Sequence, residues 1–179
     1  MSQSTFYLGE ISGLLGRLWL RELDAATLDA ISQEDFRSLY ESLGGYVPTD
    51  VTANSVEELA VEYCELLIGP KGHVSPVQSV WADDQLKSET SASMSRFFEL
   101  VPGYQAQSNL SDHIGVQLDF VGALLQIEDE EVDGILNLFA QQHLGWMESF
   151  LDRVESKTAS EFYLGLARVT RSMIQSIAN

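Results

Sequence analysis

Apolar residues recur at intervals of three and four along most of the chain, and this spacing limits the fold more than any other feature. Two clear stripes consist of Leu8, Ile11, Leu15 and Leu18, and of Phe162, Leu166, Val169, Met173 and Ile177. The spacing matches the turn of an α-helix, whereas the alternation that marks a β-strand is scarce. The sequence therefore predicts an all-α fold, a bundle of roughly seven helices.

Helix starts are predicted where a capping residue precedes a glutamate or aspartate by three positions. Three segments resemble such a capping box: 32–35, 55–58 and 158–161. Gly44-Gly45 and Gly69-Pro70 are expected to end the helices that follow the first two segments, because glycine and proline stop helices.

The segment from Ile114 to Leu125 is apolar nearly all round, which is typical of a helix buried at the centre of a bundle. A more polar helix is predicted from about Asp83 to Val101, with Leu86 and Met94 on its apolar side. The acidic run 128–134 lacks the oxygen spacing of a calcium-binding EF-hand, so we interpret it as a solvated turn between helices.

The length of 179 residues suffices for one full core, and we expect residues 1–179 to form a single all-helical domain. The stretch 102–110 is polar and turn-like, which makes it the best candidate for a hinge between N-terminal and C-terminal groups of helices. Such a connector permits two chains to exchange their C-terminal helices. A monomer with a separable domain-swapped homodimer is therefore predicted.

The chain is strongly acidic, with 27 Asp and Glu residues against 10 Lys and Arg residues and a formal charge of -17. Such a surface repels phosphates, so nucleic acid is not an expected partner. A basic partner would be attracted and would associate faster. The alternative interpretation is that the acidity only maintains solubility.

The segment Met1–Arg21 lacks the basic start and apolar stretch of a secretory signal. No apolar run is long enough to span a membrane, so stable membrane insertion is not expected and a cytoplasmic location is predicted. Cys64 is the single cysteine, which excludes an internal disulfide framework and a cysteine-rich metal site.

The motifs of common catalytic and cofactor sites are missing from the sequence. His73, His113 and His143 form neither a His-x-x-x-His pair nor an HExxH helix, so no metal site is predicted. No phosphate-binding loop and no G-x-S-x-G motif occurs, and Gly9, Gly13 and Gly16 have the spacing of close helix packing. We therefore predict no cofactor and no catalytic residue.

Two short polar and aromatic segments stand next to predicted helices. The loop island is Pro76–Trp81, and the helix-start island is Ser111–His113. Exposed tryptophan next to proline suits a peptide anchor, although Trp81 could also cover the core. Together the islands suggest a recognition surface, because neither supplies a complete catalytic set.

Asp112 and His113 allow one structural interpretation and two functional ones. Ser111 or Asp112 could simply cap the next helix, since a negative charge favours the positive helix end. An exposed histidine beside a carboxylate could instead bind a partner or serve a small metal- or serine-dependent hydrolase. For the protein as a whole, a structural subunit held permanently in a complex is a further possibility.

Five short motifs follow one another in a fixed order. They are Tyr63-Cys64-Glu65-Leu66-Leu67-Ile68-Gly69-Pro70, Pro76-x-x-Ser79-Val80-Trp81, Asp112-His113-Ile114-x-x-x-Leu118-x-Phe120, His143-Leu144-x-Trp146-x-x-x-Phe150 and Phe162-Tyr163-x-x-Leu166-Ala167-x-x-Thr170. In their order and spacing they resemble the TorD/DmsD/NarJ family, from about Glu58 to the C-terminus. Over the first fifty or so residues only the helical pattern supports the resemblance.

The resemblance implies an all-helical cytoplasmic chaperone and not an enzyme. Family members serve molybdenum-cofactor oxidoreductases: they bind the apoenzyme, often its twin-arginine signal peptide, and delay export until the cofactor is loaded. The implied partners are therefore a molybdoenzyme catalytic subunit and its signal peptide.

By resemblance, the two islands would line the peptide-binding region. The predicted peptide-binding residues are Pro76, Gln78, Ser79, Trp81, Asp112 and His113. We expect Asp112 to meet an arginine, with Asp83 and Asp84 nearby, and Trp81 to supply apolar contact. The chain departs from the family pattern at Ser75, Val77 and Ser111, where proline, tryptophan and proline respectively are common.

Overall fold

A computed structural model describes residues 3–49, 52–86 and 88–178 of the chain. Within these ranges the regular structure consists of α-helices and one π-helical turn, with no β-strand, so the all-α prediction is confirmed. The helices are α1 (Gln3–Leu20), α2 (Ala25–Ile31), α3 (Glu34–Ser42), α4 (Ala53–Tyr63), α5 (Gln78–Asp83), α6 (Glu89–Glu99), α7 (Ile114–Leu125), α8 (Glu130–His143), α9 (Met147–Lys157) and α10 (Glu161–Ala178).

The chain divides into two compact units, which are described separately. Unit 1 consists of Met1–Leu20, Pro76–Glu148 and Met173–Asn179, and unit 2 consists of Arg21–Ser75 and Ser149–Ser172. The hinge segment 102–110 lies within unit 1. That the whole chain is a single domain with this hinge stays a prediction.

In unit 1, α7 is the central buried helix that its apolar sequence predicts. Nine of its twelve residues are buried, and Asp119, Ala123 and Leu125 are half-buried. An aromatic cluster packs around Phe120, whose ring centroid lies 4.9 to 5.2 Å from those of Tyr104, Phe139 and Phe98. Such edge and tilted ring contacts add to the free energy gained by burial.

Helix α1 crosses α7 at very short range. A Cβ atom built on Gly115 would lie 2.5 Å from the carbonyl oxygen of Gly16, and one on Gly16 would lie 2.6 Å from the oxygen of Gly115. Ser12, which is buried, donates a hydrogen bond to the carbonyl of Leu118 at 2.7 Å. The packing role predicted for Gly16 is therefore confirmed, whereas a Cβ on Gly13 would meet nothing within 4 Å.

In unit 2, α4 runs directly into the π-helical turn Cys64–Ile68. The N–H of Gly69 closes this turn by donating to the carbonyl of Cys64 at 2.7 Å, five residues back. Tyr163, which is buried on α10, donates its hydroxyl to the carbonyl of Leu59 on α4 at 3.1 Å. The π-helical turn therefore follows a helix that α10 anchors.

Several predicted helix boundaries are wrong. The polar helix begins at Glu89 and not near Asp83, because Asp84 adopts a left-handed conformation with φ 54° and Ser88 caps the new start. Leu86 lies outside both helices and is 57% exposed. The acidic run 128–134 is only partly a turn, since α8 begins at Glu130.

The predicted N-cap residues of three helices are also wrong. α3 begins after Gln33, whose side chain makes no capping bond, while Ser32 donates backwards to the carbonyl of Leu28. α4 does have a capping box, but Thr52 and Ser55 form it and the helix begins at Ala53. α10 begins at Glu161, two residues after the start that a cap at 158 predicts. The extra boundaries divide the expected seven helices into more and shorter ones.

No helix of the described ranges combines the length and apolar character needed to cross a bilayer.

Candidate peptide-binding site

Unit 1 brings the loop island and the helix-start island side by side. An isolated antiparallel bridge pairs Val77 with His113. Next to it, the N–H of Ile114 donates to the carbonyl of Pro76 at 2.8 Å. The starts of α5 and α7 are therefore joined by backbone hydrogen bonds, and the predicted proximity of the two islands is what the fold produces.

Asp112 is the residue that ties the two islands together. The residue is 1% exposed, and its Oδ2 atom accepts from the N–H of Ser79 at 2.8 Å. Its Oδ1 atom accepts from the hydroxyl of Ser91 on α6 at 2.8 Å, and its carbonyl accepts from the N–H of Gln78 at 3.0 Å. The interpretation that Asp112 caps its own helix is wrong, because its carboxylate caps the start of α5.

His113 is the N-cap of α7. Its Nδ1 atom accepts from the N–H of Gly115 at 3.0 Å, and the residue is only 6% exposed, so the expectation of an exposed histidine is wrong. Burial lowers the pKa of His113 to about 4, although the negative charge of Asp112 opposes this shift. The ring is therefore neutral near pH 7, with Nδ1 acting as an acceptor.

A buried network of amide groups lies beneath the islands. The Oε1 atom of Gln78 accepts from Nε2 of Gln117 at 2.6 Å and from Nδ1 of His143 at 2.9 Å, which places a proton on that ring nitrogen. The Nε2 atom of Gln78 donates to the carbonyl of Gln142 at 3.1 Å. His143 is a hydrogen-bonded core histidine, as its position on an apolar stripe indicates.

The other end of the network reaches a tryptophan pair. The Nε1–H of Trp146 donates to Oε1 of Gln117 at 2.9 Å, and the ring centroids of Trp146 and Trp81 lie 6.3 Å apart. Both rings are half-buried. The network therefore connects Gln78 to the tryptophan pair. Gln78 and Trp81 are predicted site residues, whereas Trp146 is not.

Comparison with known proteins shows which family this chain belongs to. The family model described as nitrate reductase delta subunit matches residues 26–153, more than half of the chain. The chain belongs to this family. The resemblance to the TorD/DmsD/NarJ group of chaperones is thereby confirmed.

Two proteins named as chaperones are similar to this chain in sequence, and one solved structure shares its fold. The chaperone protein TorD of Shewanella pealeana is 29% identical over 92% of this chain and 85% of its own length. The chaperone protein YcdY of Escherichia coli K12 is 27% identical over 67% of this chain and 63% of its own length. A candidate redox enzyme maturation protein from Archaeoglobus fulgidus has the same fold, with a TM-score of 0.59, 19% identity and coverage of 100% of this chain and 96% of that one.

Chaperones, and not enzymes, are therefore the class of protein to which this delta subunit family member is similar. The geometry gives the hydrolase alternative no support. Nδ1 of His113 already accepts a helix N–H, and both carboxylate oxygens of Asp112 already accept hydrogen bonds. Within the described ranges, no group of three or more His, Cys, Asp or Glu residues could hold a metal ion.

The six predicted site residues differ in accessibility in this family member. Pro76 and Trp81 are half-buried, and the other four are buried. The hydroxyl of Ser79 is buried and lacks a hydrogen-bond partner among the described atoms. Any ligand at this site would therefore contact Pro76 and Trp81 directly and reach the others only through an opening.

One such opening borders Asp112. A cavity of about 330 Å³ lies between one face of α6 and the segment that precedes α7. Its lining is mostly small and polar and consists of Ser88, Ser91, Ala92, Ser95 and the residues 109–112. At the start of α6, the exposed carboxylate of Asp83 accepts hydrogen bonds from the hydroxyls of Ser88 and Thr90, which lower its pKa.

Sequence reasoning missed Ser91, Ser93, Gln117, His143 and Trp146 as members of this site. The hydroxyl oxygen of Ser93 lies 3.1 Å from Nε2 of His143, within hydrogen-bond distance. A signal for two of them was present, because His143 and Trp146 belong to one family motif. The serines carried no signal, since hydroxyl residues are common on polar helices and nothing local distinguishes these.

Proposed function

We propose that this protein is a cytoplasmic chaperone for a molybdenum-cofactor oxidoreductase. It binds the apo catalytic subunit and its twin-arginine signal peptide, assists cofactor insertion and delays export. Membership of the delta subunit family and the similarity to proteins named chaperones support the class of function. The observation that carries the peptide site is the hydrogen bond that the N–H of Ser79 donates to the carboxylate of Asp112, which joins the two islands.

Asp112 provides the reason to expect an arginine. Its carboxylate is buried with two neutral donors, and no ion pair to it is present among the described residues. A buried charge is costly unless it is paired, and a guanidinium forms strong charge-assisted bonds to a carboxylate. An arginine entering the serine-lined cavity would supply this missing charge, and Asp83 and Asp84 would attract it from the surface.

The tryptophan pair provides the reason to expect an apolar stretch in the same peptide. Trp81 and Trp146 are both half-buried, so each retains ring surface that a ligand can cover. The hydrogen bond from Trp146 to Gln117 already fixes the orientation of the Trp146 ring, so ligand binding loses little side-chain entropy at this residue. Aromatic anchors of this kind typically contribute about 2 kcal/mol or more when covered.

The test is calorimetry of the wild type and three variants against a twin-arginine signal peptide. We expect Trp81→Ala to weaken binding by roughly thirtyfold, which corresponds to about 2 kcal/mol. Asp112→Asn should weaken it by about tenfold and flatten its salt dependence, because one attractive charge is lost. The double variant Asp83→Asn and Asp84→Asn should have a smaller effect of the same kind.

Asp133→Asn on α8 is the matched control, since it removes an exposed carboxylate of unit 1 that makes none of these contacts. A peptide with both arginines replaced by glutamine should lose most of its affinity. The site would have to be abandoned if correctly folded Trp81→Ala and Asp112→Asn bound the peptide as the wild type does.

For assembly, we propose a monomer in equilibrium with a separable dimer that exchanges helices through the segment 102–110. Its support is the polar, turn-rich composition of this segment. Size-exclusion chromatography before and after partial unfolding and refolding tests it. A single species in both runs contradicts the exchange.

A further inference from the structure

A groove follows the accessible edge of α7, away from the end that carries Asp112. Two cavities of about 170 and 520 Å³ share the residues Asp119, Ala123 and Gln126. These residues are four and three positions apart, so they lie along one edge of the helix. The two cavities therefore border the same edge of α7, and the surface that they form together is named here the α7 groove.

Helix α1 forms one wall of the α7 groove, with Glu10, Gly13 and Arg17 in its lining. The carboxylate of Glu10 accepts from Nε2 of Gln126 at 2.7 Å. With Asp119 in the floor, two carboxylates face one guanidinium in this part of the groove. The excess negative charge favours a basic ligand, as does the formal charge of -17 of the whole chain.

The loop after α6 forms the opposite wall, with Tyr104, Gln105 and Gln107 in its lining. The hydroxyl of Tyr104 donates to Oδ2 of Asp119 at 2.9 Å, which fixes the orientation of that carboxylate. Glutamine side chains both donate and accept hydrogen bonds, as a peptide backbone does. This wall is therefore suited to an extended peptide segment.

Gly13 is the least expected residue of the groove. Glycine within a helix costs about 0.5 to 1 kcal/mol relative to alanine. Gly16 needs its missing side chain for packing, but a Cβ on Gly13 would meet nothing within 4 Å. The backbone of Gly13 packs against α7, where a Cβ on Gly122 would lie 2.9 Å from the Gly13 N atom, and the space on the other side of Gly13 is part of the narrow end of the groove.

From these observations we infer that the α7 groove binds an extended, basic peptide segment of a partner protein. The basic side chain lies against Asp119 and Glu10, and the peptide backbone passes over Gly13 and Ala123. The narrow end, of about 170 Å³, holds a side chain, and the glutamine side chains of the other wall offer hydrogen-bond partners to an extended backbone. This binding is independent of the proposed signal-peptide site.

The probes are two blocked pentapeptides, acetyl-Leu-Ala-Arg-Ala-Leu-amide and the same peptide with glutamate in place of arginine. Each is titrated into isotope-labelled protein while the backbone amide signals are recorded by NMR. We expect the arginine peptide to shift the signals of Gly13, Asp119, Ala123 and Gln126, with weaker binding at high salt. The glutamate peptide should bind at least several-fold more weakly.

Gly13→Leu fills the groove, and Gly134→Leu is its matched control on α8, where a Cβ likewise meets nothing within 4 Å. We expect Gly13→Leu to abolish the shifts while Gly134→Leu retains them. Asp119→Asn keeps an oxygen for Tyr104 but removes the charge, so it should weaken arginine-peptide binding by about two- to fivefold and reduce its salt dependence.

The inference is overturned if folded Gly13→Leu binds the arginine peptide as the wild type does. It is also overturned if no shifted signal lies in the α7 groove, if both peptides bind there equally, or if neither shifts any signal. Should Gly13→Leu fail to fold, unchanged affinity and salt dependence of Asp119→Asn would equally reject it.

Discussion

The carboxylate of Asp112 accepts a hydrogen bond at 2.8 Å from the backbone N–H of Ser79, 33 residues earlier in the chain. One island thereby caps the helix of the other. Because the same carboxylate also holds Ser91 of α6, three segments of unit 1 meet at one buried charge. The two sequence islands are therefore one structural feature.

Asp112→Ala should destabilise the protein by about 3 kcal/mol. It leaves the buried N–H of Ser79 and the half-buried hydroxyl of Ser91 without an acceptor, and hydrogen bonds to a charged group contribute about 1.5 to 3 kcal/mol each. Urea unfolding measures the loss. Asp133→Ala, at an exposed position of α8, should change the free energy of unfolding by less than about 0.5 kcal/mol, and an equal effect of both variants would contradict the capping role.

The buried histidines should make the free energy of unfolding depend on pH between about 4 and 6.5. Burial lowers the pKa values of His113 and His143 to about 4, below the 6.5 of an exposed histidine. In this window the unfolded chain binds more protons than the native one. Stability is therefore complete above about pH 6.5 and decreases as the pH falls towards 4, by at most about 1.4 kcal/mol per pH unit for each histidine.

Removal of one titrating ring tests this dependence. Urea unfolding between pH 4.5 and 7.5 should show a shallower slope for both His143→Gln and His143→Phe than for the wild type. The two variants differ in packing and hydrogen bonding but share the loss of the ring. Slopes equal to that of the wild type would show that the pKa of His143 is the same in the native and the unfolded protein, which contradicts its lowering by burial.

Gln117→Leu should destabilise the protein by about 2 kcal/mol. The change removes a donor to Gln78 and the acceptor of the Trp146 indole, and unsatisfied buried groups cost about 1 to 3 kcal/mol. Tryptophan fluorescence should also change, because the environment of Trp146 alters. Gln141→Leu, at an exposed position on α8, serves as the control. Unchanged fluorescence and stability would argue that the network does not hold the tryptophan.

Gly115→Ala should destabilise unit 1 by about 1 to 3 kcal/mol, because the new Cβ would lie 2.5 Å from the carbonyl of Gly16. Thermal unfolding measures the effect. Gly134→Ala on α8 meets no neighbour within 4 Å and should instead stabilise the protein by about 0.5 to 1 kcal/mol. Shifts in melting temperature of the same sign for both variants would contradict the close crossing.

The fold class could be predicted because apolar spacing reports which face of each helix is buried. The burial of α7 followed directly from its apolar residues. Helix boundaries could not be predicted from this spacing, since they depend on which of several nearby residues caps the helix. Ser55, for example, forms a capping box with Thr52 and not with a later glutamate. The break at Asp84 is a single left-handed residue, which no periodicity reveals.

The site was predictable as a set of residues but not as a set of contacts. Motif order placed Gln78, Ser79, Asp112 and His113 together. Their burial was not predictable, because it depends on side chains such as Trp146 that approach from a distant part of the chain. The direction of the Asp112 carboxylate, towards α5 and away from its own helix, likewise follows from tertiary pairing.

The π-helical turn Cys64–Ile68 has a consequence for the length of the chain. Removing one residue from an α-helix rotates everything beyond it by about 100°, which would turn a buried face outwards. A turn closed over five residues holds one residue more than an α-turn, so losing that residue leaves an ordinary α-helix with its downstream phase nearly unchanged. Between Tyr63 and Gly69 the chain is therefore able to shorten by one position, and this stretch is where we expect relatives to vary in length by a single residue.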